Sequence, residues 1–273
     1  MRLTSLALAD RSQRWWYLSS IQLAGGVISL PVIGIGSHLA LSYGLATAIT
    51  SILIGNLFVL FISYLMIAMS FPRRLNAVEN AKQYIGVAGS KIFAVFILTS
   101  ALGWSGWILL SGAHLLHKHP FFSTLATGSL VGGIASFVLL IGIKGLKNLA
   151  LFTVIPLLGL LAFLISDGMS EMAILPKSSH LLSLPAIALA ISPSIGAIMD
   201  YPTFFRHSKT TKDAYIAIGV IFVITCIVEM AGFMLLNSHL DPNQHQLLTF
   251  FVILSMITGA CWNIYAASVG WES

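Results

Sequence analysis

Apolar positions run along the chain in eight stretches of about 20 residues, the length that crosses a hydrocarbon core. They fall at Tyr17–Ile35, Leu45–Ser70, Lys91–Leu115, Leu125–Ile143, Leu149–Ser166, Ser183–Tyr201, Ala214–Leu236 and Leu247–Gly270, and polar positions gather between them. Each stretch predicts a membrane helix. Two of them carry residues that such helices resist. Leu23–Gly36 holds Gly25, Gly26, Gly34, Gly36 and Pro31. Glycine weakens a helix, and proline removes a backbone donor and crowds the preceding turn. In lipid, a break is tolerated only where the freed amides and carbonyls face protein or a watery cavity. The cluster Ile28-Ser29-Leu30-Pro31-Val32-Ile33-Gly34 is echoed, one residue shorter, by Ile191-Ser192-Pro193-Ser194-Ile195-Gly196. Paired interruptions of this kind point to the binding site of a secondary transporter. The plainer reading is that membrane helices simply contain more glycine and proline than soluble ones.

Composition agrees with the helix pattern. The 273 residues are 57% hydrophobic and 8% charged, with a mean hydropathy of +0.92, which sets the class as an all-α polytopic membrane protein. A net charge of +5 would suit a nucleic-acid partner, but the positive residues lie in short loops and form no stripe with interleaved aromatics, so nucleic acid is excluded as a partner. With the N-terminus inside, the inner segments hold Arg2, Arg11, Arg14, Arg73, Arg74, Lys82, Lys91, Lys144, Lys147, Arg206, Lys209 and Lys212. The outer loops hold only Lys118 and Lys177. That bias fixes a cytoplasmic N-terminus under the positive-inside rule. Arg2–Arg14 has no small-residue cleavage site, so the first span is read as retained. Trp15, Trp16 and Tyr17 suit an interfacial belt. Cys226 and Cys261 both fall inside spans and report no redox compartment.

In this orientation the first and sixth spans run in opposite directions, as an inverted repeat requires. The chain then forms a single membrane domain, 1–273, with a five-helix repeat over 1–168 and the first three helices of a second over 183–273. The sequence stops at Trp271-Glu272-Ser273 directly after an apolar span, so the second repeat is expected to be incomplete.

Lys82–Trp107 reads as an inner amphipathic stretch, a glycine turn at Gly86 and Gly89, and then a helix with Gly103, Trp104, Ser105, Gly106 and Trp107 near its middle. Small residues around a mid-membrane tryptophan leave an indole face open to a flat ligand; ordinary helix packing is the alternative. A neutral planar base needs such a face and a few polar partners. Trp104, Ser105, Ser192, Ser194 and backbone groups freed at the breaks can supply both. Glu229 lies deep within a span, where a carboxyl usually faces a partner or a pathway. It is either a protonatable or cation-facing group, or an acid hydrogen-bonded to the next helix. Asp200 is expected to pair with Arg206 or to cap a helix end. His114, His117 and His119 have a spacing resembling a metal site, but without a neighbouring Cys or acid no metal is assigned. Asn56 and Asn263 are interhelical hydrogen-bonders or ligands. No phosphate-binding loop and no nucleophile–base pattern suggests an enzyme.

The segment Y-x-G-V-x-G-S at Tyr84–Ser90, followed by G-W-x-G-W at Gly103–Trp107, resembles the nucleobase–cation symporter family, bacterial cytosine permeases in particular. Leu53-Ile54-Gly55-Asn56, Phe204–Ala214 and Asn263-Ile264-Tyr265-Ala266 are similar to further family motifs in the right order. The resemblance implies a LeuT-like inverted-repeat fold of the APC superfamily with twelve helices, of which this chain would hold about eight and lack the last four. It implies import of a nucleobase or related heterocycle of the cytosine, purine or hydroxymethylpyrimidine class with Na⁺ or H⁺. It also implies an inner-membrane location and neither a cofactor nor an obligate protein partner. Carried over by motif, Trp104 stacks the base and Pro193, Ser194 and Ser192 line the sixth-helix break. Gly25, Gly26 and Ser29 belong to the first-helix break, Asn263 faces substrate, and the cation is expected at Gly25, Ile28 and Thr258. Three positions depart from cytosine permeases: Ala101 replaces a glutamine, Ala260-Cys261-Trp262 a polar run, and Thr203 an acid. An amino-acid permease of the same fold, sharing G-G-x-I-S-L-P, and a non-transporting remnant or accessory protein are the alternatives.

Overall fold

The structure, a computed structural model, describes residues 13–116, 124–168, 180–235 and 242–272. Its helices are α1 (Trp15–Gln22), α2 (Leu30–Tyr43), α3 (Leu45–Ser70), α4 (Ala77–Leu116), α5 (Thr124–Leu139), α6 (Ile143–Gly168), α7 (Leu184–Phe205), α8 (Thr211–Leu235) and α9 (Pro242–Glu272). A π-helical turn, Leu23–Val27, joins α1 to α2, and a 3₁₀ turn, Phe71–Arg73, closes α3. Among the described residues no strand forms. Among the described residues six helices are long and apolar enough to cross a bilayer, and the bent pair Trp15–Val27 with Leu30–Tyr43, taken as one broken span, brings the number to seven. α5 is apolar but shorter. The chain is a multi-pass membrane protein. His117, His119, Lys118 and Lys177 lie outside the described residues.

Several boundaries differ from the sequence reading, two of them for clear physical reasons. The first span does not end at Ile35 but runs to Tyr43, because its two halves meet at 61° and each needs its own length. The amphipathic stretch before the third span merges with it into α4, interrupted at Gly86, whose φ of 72° and ψ of −178° only glycine adopts readily.

The helices pack α4 along α9, α3 against α7 and α2 against α8. Small residues set these distances. A Cβ on Gly36 would run into the Glu229 backbone, 2.6 Å from its carbonyl carbon, and one on Gly232 would lie 2.6 Å from the Ser37 amide nitrogen. Ser37 Oγ donates to the Gly232 carbonyl at 2.7 Å across the same crossing. With lipid tails as apolar as leucine, such close backbone approach is what holds membrane helices together. Outward, Ile92, Val95, Phe96, Leu102 and Trp107 on α4 and Leu57, Phe58 and Phe61 on α3 are exposed, as suits a hydrocarbon solvent.

Polar contacts tie the helix ends around Asn76, Glu79 and Arg206. Asn76 and Glu79 form a reciprocal cap at the start of α4, with Glu79 N donating to Asn76 Oδ1 at 2.8 Å and Asn76 N to Glu79 Oε2 at 2.9 Å. Thr203 Oγ1 accepts from Ala77 N at 3.2 Å, so the hydroxyl at that departing position caps α4. Arg74 donates to the carbonyls of Arg206, at 2.9 Å, and Ser208. Gln13 pairs with this turn through Gln13 N to His207 O and Lys209 N to Gln13 O.

Candidate functional site

The break in the first span follows from its residues. Ile28 N reaches back to Leu23 O at 2.8 Å, closing the wide π turn that the glycines permit. Ser29 is then extended (φ −142°, ψ 154°) and its hydroxyl donates to Gly26 O at 2.9 Å. Pro31 stands in the first turn of α2, where its missing N–H leaves no intrahelical bond unmade. Proline therefore starts a helix here instead of kinking one.

The sixth span behaves differently. α7 continues through Pro193 without a break. Pro193 cannot donate to Leu189 O, and the Ser192 hydroxyl takes that acceptor at 2.7 Å. The serine preserves the helix where sequence alone predicts an interruption, so one of the two expected breaks is present and the other is healed.

Between the broken span, α3, α4, α7, α8 and α9 lies a cavity of about 160 Å³. That is well above the roughly 10–15 Å³ a single water needs, so the cavity has room for a small molecule. Trp104 forms part of the α4 wall, with Ala101 one turn earlier, and Ser192, Pro193 and Ser194 form part of the α7 wall. Gly26 and Asn263 complete the set of sequence-proposed residues that line it. Gly25, Ser29, Ile28, Ser105 and Thr258 stand outside the lining. Gly25 abuts Trp262, whose Cβ would be 2.6 Å from an added methyl, and its carbonyl lies 3.3 Å from a Cβ built on Gly259, next to Thr258. Thr258 Oγ1 donates within α9 to Leu254 O at 2.9 Å. Ile28 is fully buried, and Ser105 is buried with an unpartnered hydroxyl among the described residues.

Several lining residues gain a role or a partner that the sequence did not single out. Gln22 accepts from Trp262 Nε1 at 3.2 Å through Oε1, and its Nε2 is unpartnered among the described residues. Trp262, which lines the cavity, stacks on Phe204 behind it with centroids 5.2 Å apart and planes 6° from parallel. Asn56 Nδ2 donates to Glu229 Oε2 at 2.7 Å and to Ile52 O at 3.0 Å, so Glu229 is an interhelical partner just behind the wall. Asp200, expected to pair with Arg206, does not: Arg206 Nη1 lies 4.0 Å from Glu79, while Asp200 is buried in the cavity wall. The signal for Gln22 was available, since it is the amide directly before the glycine break. The Trp262–Phe204 stack joins residues far apart in the chain and was not legible.

The arrangement, a bent first span packed beside a proline-bearing helix around a midchain cavity, is the LeuT-like transporter fold. It matches Mhp1, a nucleobase-cation-symport-1 family transporter, in a closed conformation with bromovinylhydantoin bound: TM-score 0.72, 14% identity, over 97% of this chain and 72% of Mhp1. The inward-facing conformation of Mhp1 matches with a TM-score of 0.70 and 15% identity, over 97% of this chain and 71% of the other. No protein-family model and no curated protein sequence matches the chain.

Proposed function

We propose that the chain is a secondary transporter carrying a planar nucleobase-like heterocycle together with a cation, by alternating access around the cavity beside the broken span. The observation that carries this reading is the cavity wall itself, where Trp104 on α4 and the Leu23–Val27 turn border one space. An aromatic face with a few fixed polar groups is what a flat, polar-edged ligand requires. The Mhp1-like fold supports transport rather than catalysis, since both matched structures are transporters. Gln22, Asn263 and Ser194 would meet the ligand's polar edge. The coupling ion, Na⁺ or H⁺, would sit near Gly25, Ile28 and Thr258, where α9 approaches the π turn. The location proposed is a bacterial-type inner membrane with a cytoplasmic N-terminus, and no protein partner is required.

Equilibrium binding of radiolabelled cytosine, uracil and hydroxymethylpyrimidine tests the site. At least one should bind, and Trp104→Ala should weaken it by roughly tenfold or more, the loss of one base–aromatic stack. Binding unchanged by Trp104→Ala removes the stacking role; competition by amino acids and not by bases selects an amino-acid permease.

A further inference from the structure

We propose that this cavity takes a heterocycle bearing a positive charge, of amidinium or aminopyridinium type, with Asp200 as its counter-ion. The inference rests on the heterocycle reading above and specifies its substrate class. Asp200 is 6% exposed and lines the cavity. Its Oδ1 is buried without a hydrogen-bond partner among the described residues. A buried acid is ordinarily paired or fully hydrogen-bonded. Its own helix does not pair it: Arg206, six residues on, points to Glu79 at 4.0 Å. Among the described residues α3, α4, α8, α9 and the π turn bring no lysine, arginine or histidine to the lining, and Tyr201 is the other titratable side chain there. A cleft lined by charge of one sign selects ligands of the other.

Five lining polar side chains point the same way, while Gln22 Nε2 is a lining donor left unpartnered among the described residues. Ser63, Thr225 and Ser192 each give their hydroxyl hydrogen to a carbonyl of their own helix, Val59, Ile221 and Leu189. Asn56 commits its Nδ2 to Ile52 O and Glu229, and Asn263 directs its Nδ2 to Gly259 O. What these side chains have left to offer is chiefly acceptors. Acceptors around one carboxylate are matched by a planar ligand rich in N–H groups, and amidinium is the compact case.

The probe pair is benzamidine, a planar cation, and benzamide, its neutral isostere, titrated against the purified full chain in detergent. Benzamidine should bind roughly tenfold or more tightly than benzamide, the effect of one hydrogen bond between charged groups. Asp200→Asn should bring the two affinities together by weakening benzamidine far more than benzamide, which separates the carboxylate from the cation–π attraction of Trp104. Asp200→Glu, which keeps the charge, should keep the preference and shows that a folded site is being read. Equal binding of the two probes by the wild-type chain, or a preference that survives Asp200→Asn, overturns the proposal. If benzamide and uracil bind in a Trp104-dependent way with no preference for charge, the heterocycle reading stands and the counter-ion falls. If neither probe nor uracil binds, both fall.

Discussion

Gly36→Ala should destabilise the protein far more than the same change two residues earlier. At Gly36 the new methyl would run into the Glu229 backbone, which cannot swing aside as a side chain can. α2 and α8 must then separate. Overpacking of this kind costs about 1–3 kcal/mol. Separation also weakens the bond from Ser37 Oγ to Gly232 O, worth about 0.6–1 kcal/mol in a membrane interior. Against this, alanine is favoured over glycine in a helix by roughly 1 kcal/mol. The net expectation is a loss of about 1–3 kcal/mol, the overpacking range itself, because the last two effects nearly cancel. Gly34 is the internal control, for nothing lies within 4 Å of a Cβ built there, and Gly34→Ala should be neutral or stabilising. Thermal unfolding in detergent, read side by side for the two variants, measures the difference. Equal midpoints would refute the close α2–α8 crossing.

Two further expectations concern the walls of the cavity. Ser192→Ala leaves Leu189 O without the donor that replaces the missing N–H of Pro193, costing about 1 kcal/mol in thermal or denaturant unfolding. Pro193→Ala restores that donor, so the double variant should be more stable than Ser192→Ala alone; additive losses would contradict the substitution of one donor for the other. Glu229→Ala strips a hydrogen bond of 2.7 Å from the buried Asn56 and should lower stability by about 1–3 kcal/mol, whereas Glu229→Gln, able to accept through its carbonyl, should cost less. Identical effects of the two changes would show that the pair is not a hydrogen bond.

Much of the fold was legible because hydrocarbon imposes simple rules. Spans of membrane length, the glycine break at Leu23–Gly36 and the turn at Gly86 all follow from local residue chemistry. The end of the first span at Tyr43 was missed because hydropathy marks a crossing length, not a bend. The sixth-span break was overread because a side chain, Ser192, can replace a backbone donor, and its position directly before Pro193 was the available clue. The pairing of Asp200 with Arg206 could have been rejected from sequence, since residues six apart on a helix point to different faces. Within the site, Trp104 and the Ser-Pro-Ser run stood out as polar or aromatic oddities in apolar stretches. Gln22 carried the same signal unread. The Trp262–Phe204 stack and the Asn56–Glu229 bond join distant segments, and no local pattern announces them.

Uptake of the tightest-binding base into vesicles containing the protein tests coupled transport most directly. Accumulation should require an inward Na⁺ or H⁺ gradient, collapse when that gradient is removed, and fall with Trp104→Ala. Binding without gradient-dependent accumulation, or uptake indifferent to Trp104, would contradict a cation-coupled carrier built around this cavity.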